Sequence, residues 1–240
     1  MRFIFAYRIS YIIMKKRGPK PNGKVKIEWS SDFAYAIGLL VTDGCVYSNG
    51  RHISFVSSDL EQVHNFMRCL QIENKIGKNF AGYIAKGRKK KTFTHRVQFG
   101  DVRFVRFLSD IGIMPAKSKI IEDVRIPMKY FFDYLRGCFD GDGCIYSYWD
   151  PRWKSSFMFY VSFVSASKIH IDWLRAQIFR HTKAKGHITM DGKGSTHQLK
   201  YAKKESLTIL KRMFYSKDVT CLSRKKLKIM KILAIVGESL

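Results

Sequence analysis

Acidic residues are scarce in this chain. Nineteen Asp and Glu stand against 44 Lys and Arg, a formal net charge of +25 over 240 residues. An excess of that size repels itself in the compact state and attracts polyanions. Proline is scarce too, with five in all, which argues against Pro-rich linkers. The cysteines are Cys45, Cys69, Cys138, Cys144 and Cys221, an odd number without a C-x-x-C pair. Neither a disulfide framework nor a zinc ribbon is indicated. The expected setting is a reducing compartment, cytoplasmic or organellar rather than secreted. The seven His show no H-E-x-x-H and no Cys/His zinc spacing. No apolar run reaches the roughly 18 residues of a membrane span, so no membrane partner is expected. Residues 1–14 (MRFIFAYRISYIIM) are apolar but carry Arg2 and Arg8 and lack a small-residue cleavage site, unlike a signal peptide. Met14 before Lys15, Lys16 and Arg17 resembles an alternative start. Residues 1–13 then read as an over-extended frame or as an extra strand. What the chain has in quantity is apolar residues, 46%, and aromatics, 14%, enough to bury a core.

An internal repeat organises the rest. Asp43-Gly44-Cys45-Val46-Tyr47-Ser48 recurs as Asp142-Gly143-Cys144-Ile145-Tyr146-Ser147, 99 positions later. Ser54-Phe55-Val56-Ser57 recurs as Ser162-Phe163-Val164-Ser165, 108 positions later. The difference is a longer loop in the second copy, near Tyr148–Ser156. The chain divides into a basic N-terminal extension, 1–27, and two related halves, 28–122 and 127–236. Each half begins with an apolar helix, Phe33–Thr42 and Tyr130–Gly141. Ser30, Ser31 or Asp32 is the expected N-cap of the first. An Asp-Gly ends each helix, with Gly expected in the left-handed position after it. Two strands follow (Cys45–Tyr47 and His52–Ser57; Cys144–Tyr148 and Met158–Ser165), then a helix (Leu60–Leu70; Lys168–His181). A second hairpin and a last helix (Val102–Ile111; Ser206–Tyr215) close each half. The order αββαββα, twice, predicts an α+β fold with antiparallel sheets.

The first helix of each half carries the chemistry. Ala36-Ile37-Gly38-Leu39-Leu40-Val41-Thr42-Asp43-Gly44 matches Leu135-Arg136-Gly137-Cys138-Phe139-Asp140-Gly141-Asp142-Gly143. Gly38 and Gly137 sit mid-helix, where Gly costs about 1 kcal/mol relative to Ala. Matched glycines predict two helices touching along a pseudo-twofold axis. Asp43 and Asp142 then meet at the paired C-termini. Helix C-termini carry partial negative charge and disfavour acids. Two carboxylates about 5 Å apart also repel by roughly 3 kcal/mol at an effective dielectric of 20. A divalent cation relieves both penalties. Oxygen ligands and a phosphate substrate favour Mg²⁺, and such a centre can activate water against a phosphodiester. The alternative is that each Asp-Gly is simply a turn.

These two nonapeptides resemble the signature of the LAGLIDADG homing endonucleases in their single-chain, two-repeat form. The resemblance extends over most of the chain beyond about residue 28, including Gly112–Ser118 (GIMPAKS) and Leu222–Lys226 (LSRKK). It implies two pseudo-symmetric halves packed through their motif helices, with the sheets forming a saddle on the DNA major groove. It implies a monomeric, intron-encoded or free-standing enzyme with a long pseudo-palindromic duplex target. One phosphate on each strand is hydrolysed across the minor groove, leaving cohesive ends. Asp43 and Asp142 are the implied catalytic and metal-binding acids, with the Thr42 and Gly141 carbonyls as further ligands of Mg²⁺, for which Mn²⁺ can substitute. Val41 stands where the consensus has its earlier Asp, a departure expected to matter little. The rival reading is a non-catalytic binder on the same scaffold, an RNA maturase holding intron RNA or a DNA-binding regulator.

Other residues support this reading. Lys117 and Lys225 follow the last helix of each half, where the family often has a lysine, and Lys203 follows the strand Gln198–Tyr201. All three are candidates to activate water or stabilise the transition state. Asp59 and Ser167 end the second strand of each half and are expected either to position water or to cap the next helix. For DNA contact the expected residues are Ser48, Arg51, His52 and Ser54 in half one and Ser147, Tyr148, Arg152 and Lys154 in half two. Thr94, Arg96 and Gln98 alternate with His95, Val97 and Phe99 and should share one polar face. The basic tip Lys86, Arg88, Lys89, Lys90 and Lys91 suits phosphate contact, and residues 15–21 resemble a minor-groove hook.

Overall fold

A computed structural model describes residues 23–81, 92–192 and 194–240. The tip 86–91 and the run 15–21 lie outside the described residues. The first repeat runs α1 (Ser31–Asp43), β1 (Gly44–Val46), β2 (His52–Ser57), α2 (Leu60–Leu70), β3 (Gly77–Ala81), β4 (Thr92–Gly100) and α3 (Val102–Asp110). The second runs α4 (Phe131–Gly141), β5 (Cys144–Trp149), β6 (Phe157–Ser165), α5 (Lys168–Thr182), β7 (His187–Met190), β8 (His197–Ala202) and α6 (Lys203–Met213). Each repeat holds one four-stranded antiparallel sheet, in the orders β1-β2-β4-β3 and β5-β6-β8-β7. No helix among the described residues is long and apolar enough to cross a membrane.

The chain is α+β, and α1 and α4 form its axis. Residues 33–40 of α1 are all buried, as expected for a helix that is apolar on every side. Ser30 caps α1 by accepting from the Phe33 amide at 3.1 Å. Gly38 and Gly137 face one another across the helix pair. A Cβ on Gly38 would strike the Tyr134 carbonyl, and one on Gly137 the Tyr35 carbonyl.

The glycines after the acids differ from expectation. Gly44 is extended, at φ −87° and ψ 155°, rather than left-handed. Close approach is what requires glycine here. A Cβ on Gly44 would lie 2.8 Å from Leu40 Cα, and one on Gly143 2.6 Å from Phe139 Cα.

One helix is absent from the sequence reading. α7 (Ser223–Ile235) follows α6 in the second repeat, whereas the first repeat has only a short 3₁₀ turn at Lys117–Lys119. The chain must leave that turn to cross into the second repeat. Lys225, Ile229, Ile232 and Leu233 are the buried face of α7, a helical spacing hidden among lysines. The segment before α7 straps the halves together. Arg136, fully buried and paired with Asp133 at 2.7 Å, donates to the Thr220 and Met213 carbonyls. Thr220 donates to Asp32, Asn65 donates to the Cys221 carbonyl, and Ser223 binds Glu61.

Asp140 is buried in the same place. Its Oδ2 accepts from Tyr35 Oη at 2.8 Å and from the Leu222 amide at 2.7 Å, while Oδ1 has no partner. Burial pushes its pKa up to about 6. Between the ordinary carboxylate value and about 6 the folded chain keeps a proton that the unfolded chain has released. Stability therefore falls as pH rises through this window and levels off above it. In Asp140→Asn this contribution vanishes. Denaturant titrations at pH 4 and pH 7 should show a loss of stability about 2 kcal/mol smaller in the variant than in the parent.

Candidate active site and nucleic-acid interface

The parallel packing of α1 and α4 brings Asp43 and Asp142 together. A Cβ on Gly141 would lie 2.9 Å from Asp43 Oδ2, so the end of each helix touches the other. Both carboxyl groups are harder to ionise than usual. Asp43 is pushed up to about 6 by burial first and by the charge of Asp142 second, and Asp142 is raised by burial.

Two lysines lie beneath them. Lys117 is 5% exposed and Lys225 9%. Lys117 Nζ donates to the Gly44 carbonyl. Lys225 Nζ reaches the carbonyls of Phe139 (2.6 Å), Asp140 (2.9 Å), Gly141 (3.2 Å) and Gly143 (2.7 Å). A buried ammonium at carbonyls that close a helix opposes their partial negative charge. Burial lowers the pKa of both lysines, and the nearby carboxylates oppose that shift.

Lys203 is not part of this arrangement. It opens α6 and is exposed. Lys200, three residues earlier, shares the row of Cys144 and Ser162 next to the motif. Asp59 caps nothing with its side chain. It pairs instead with Arg224 at 2.8 Å. Ser167 caps α5 through the His170 amide and donates to the Ile121 carbonyl.

The sequence reading missed Gln62. It is 3% exposed, and its Nε2 donates to Asp43 Oδ2 at 3.3 Å and to the Asp140 carbonyl at 3.1 Å. A polar residue on the inner face of the amphipathic helix α2 is the signal that could have found it.

The outer sheet faces are polar and aromatic. Thr94, Arg96 and Gln98 share one face of β4, and Val97 and Phe99 are buried on the other. Arg96 is already engaged, donating to Tyr47 Oη and to Gln98 Oε1. Ser54 lies on this face but is 3% exposed, with Tyr47 Oη 3.4 Å from its Oγ. That leaves it little base-contact surface. His52 bonds Asn49 at the β1–β2 turn, beside exposed Ser48 and Arg51.

In the second sheet Ser147 pairs with Phe159 and shares the face of buried Ile145. It points inward, away from the expected DNA surface, because strand sides alternate. Tyr146 and Tyr148 take the outer face, both stacked on Tyr160. The Gln198 and Lys200 positions of β8 share that face. Arg152 is exposed, but its guanidinium is held by Asp150 within the 150–156 loop. Lys154 is exposed in the same loop.

Two αββαββα repeats in one chain, packed through glycine-bearing helices with acids at their ends, define the LAGLIDADG fold. The chain is similar to the homing endonuclease I-WcaI bound to its DNA recognition sequence, with a TM-score of 0.55 and 14% identity over 83% of this chain and 86% of that one. It is also similar to the I-LtrWI LAGLIDADG homing endonuclease bound to target DNA, with a TM-score of 0.54 and 10% identity over 84% and 89%. Full-length DUF199/WhiA from Thermatoga maritima matches with a TM-score of 0.51 and 14% identity over 90% of this chain, which spans 63% of that protein. At these identities the likeness is one of fold. No family model matches the chain, and no curated protein matches it by sequence.

Proposed function

We propose that the protein is a site-specific endonuclease that hydrolyses one phosphodiester on each strand of duplex DNA and leaves cohesive ends. One observation carries the reading: two carboxylates, Asp43 half-buried and Asp142 exposed, are held together at two touching helix C-termini, where the helix ends and, at Asp43, the charge of its neighbour oppose them. A protein that only bound nucleic acid would gain nothing from this arrangement.

The donors suit a hard divalent cation. Among the described residues no cluster of three or more His, Cys, Asp or Glu exists. The two carboxylates would be joined by the Thr42 and Gly141 carbonyls, water and substrate phosphate, a set fitting Mg²⁺, with Mn²⁺ able to replace it. When bound, the ion lowers the pKa of water and neutralises charge on the leaving oxygen. The carboxylates hold that charge in place. Lys117 and Lys225 supply fixed positive charge beneath it, where the phosphate gains negative charge in the transition state. The outer sheet faces, with Arg96, Gln98, Tyr146, Tyr148 and Lys200, would lie along the duplex. Both repeats belong to one chain, so a monomer suffices, with a long pseudo-palindromic target.

A second reading puts the fold shared with DUF199/WhiA to a binding role. In it the same scaffold binds DNA or intron RNA and does not cut.

Cleavage of a randomised duplex library with Mg²⁺ separates the two. The expected result is a defined cut site that disappears in the Asp43→Asn/Asp142→Asn double variant. Folded protein that binds duplex tightly and enriches no cut site would overturn the nuclease reading.

A further inference from the structure

The two acidic centres are not equivalent in their hydrogen bonding. Asp43 Oδ2 accepts from Gln62 Nε2 at 3.3 Å, and Thr42 Oγ1, which donates to the Leu39 carbonyl at 2.9 Å, lies 3.4 Å from it. Gln62 is itself fixed, because its Oε1 accepts from Ser57 Oγ at 2.7 Å. The Asp142 carboxylate has no hydrogen-bond partner among the described residues, and only burial and the two lysines shift it.

By the repeat, His170 occupies the place of Gln62. It is 2% exposed and does not reach Asp142. Its Nδ1 donates to the Glu122 carbonyl at 2.7 Å, and its Nε2 lies 3.4 Å from Tyr134 Oη. Tyr134 is the repeat mate of Tyr35. The Tyr35 hydroxyl goes to Asp140 of the opposite helix, but the position that would serve Tyr134 is Val41, which has no acceptor side chain. The Tyr134 hydroxyl is therefore left to His170. A cavity of about 130 Å³ remains beside Asp142, lined by Val41, Thr42, Cys138, Ser165 and His170 among others.

Building on the nuclease reading, we infer that Gln62, which ties the Asp43 carboxylate to the Asp140 carbonyl at the end of α4 and makes no bond to the Asp142 carboxylate, is a positioning residue for the Asp43 carboxylate, so the strand served by Asp43 is cut first and the nicked duplex is the intermediate. A carboxylate fixed by a buried amide needs no reorganisation when the ion and phosphate arrive, whereas an unheld one does.

Strand-resolved cleavage of an end-labelled duplex tests this. Asp43→Asn and Asp142→Asn assign each strand to its acid. Gln62→Met is expected to slow the Asp43 strand by about 10- to 100-fold and to leave the other within about twofold. His170→Gln, which offers an amide to Asp142, should narrow the ratio of strand rates. It also serves if Gln62→Met folds poorly. Equal slowing of both strands by Gln62→Met would make Gln62 merely structural and overturn the inference.

Calorimetric Mn²⁺ binding without DNA gives a readout independent of cutting. In the Asp142→Asn background Gln62→Met should weaken Mn²⁺, and in the Asp43→Asn background it should not. Unchanged affinity in both backgrounds overturns the inference whether or not the protein cuts. A chain that cuts no duplex but passes this test keeps Gln62 in its role and loses the nuclease reading.

Discussion

Asp43→Asn is expected to abolish cutting of one DNA strand and Asp142→Asn the other, with the double variant cutting neither. Asn preserves the size and shape of each side chain, so the motif helices stay packed. What disappears is the negative charge that holds the divalent ion. Losing charge stabilisation at a phosphate under attack should slow each strand by about 10²–10³ or more. Duplex binding should survive, because the substitutions remove two repelling charges from a surface facing phosphate. Its steep decline with added salt should also remain, since the +25 excess is unchanged in sense. Gel-resolved nicking on a supercoiled substrate and a parallel binding assay check both halves of the expectation. Full double-strand cutting by the double variant would remove the acids from the mechanism.

The second large effect is on folding. Gly38→Val and Gly137→Val each place a side chain against carbonyl oxygens of the opposite helix, Tyr134 and Tyr35. Backbone atoms inside a packed helix pair cannot swing aside as a side chain can. Each substitution should cost at least about 3 kcal/mol, and thermal melting should show a midpoint lower by roughly 6–12 °C. Gly192 offers a control, because nothing lies within 4 Å of a Cβ there, and Gly192→Ala should stay within about 0.5 kcal/mol. A Gly38 variant as stable as the control would mean that the helices do not approach as described.

The sequence makes the axis of this molecule legible. Asp-Gly repeated after two glycine-bearing apolar helices is a pattern of backbone contact and charge, and both survive reading in one dimension. The strand pairs were readable for a similar reason: Val97 and Phe99 alternate with Arg96 and Gln98. Three things were not legible. Ser147 looks like its mate Ser48, yet Ser48 sits in a turn and Ser147 in a longer strand with fixed sides. Gly44 follows a helix as a left-handed cap would, but a close approach to Leu40 demands glycine at an extended angle instead. Gln62 depends on where α2 lies against two other helices, which no local spacing reports. Val41 looks harmless because it is not the acid that matters, and yet it decides what Tyr134 and His170 do.

The strap at 213–224 has a consequence for engineering. Its contacts with the first half run through Asp32, Asn65 and Glu61, so part of the surface joining the halves belongs to a segment far from the 122–127 connection. The crossover peptide adds its own bonds, with the Ile121 and Glu122 carbonyls held by Ser167 and His170, so a two-piece version broken within 122–127 would rely on the strap and on the α1–α4 contact to stay docked. Chimaeras that exchange repeats between relatives would need to carry this strap together with the faces of α1 and α2 that receive it. A junction placed by sequence symmetry alone would separate the lock from its key.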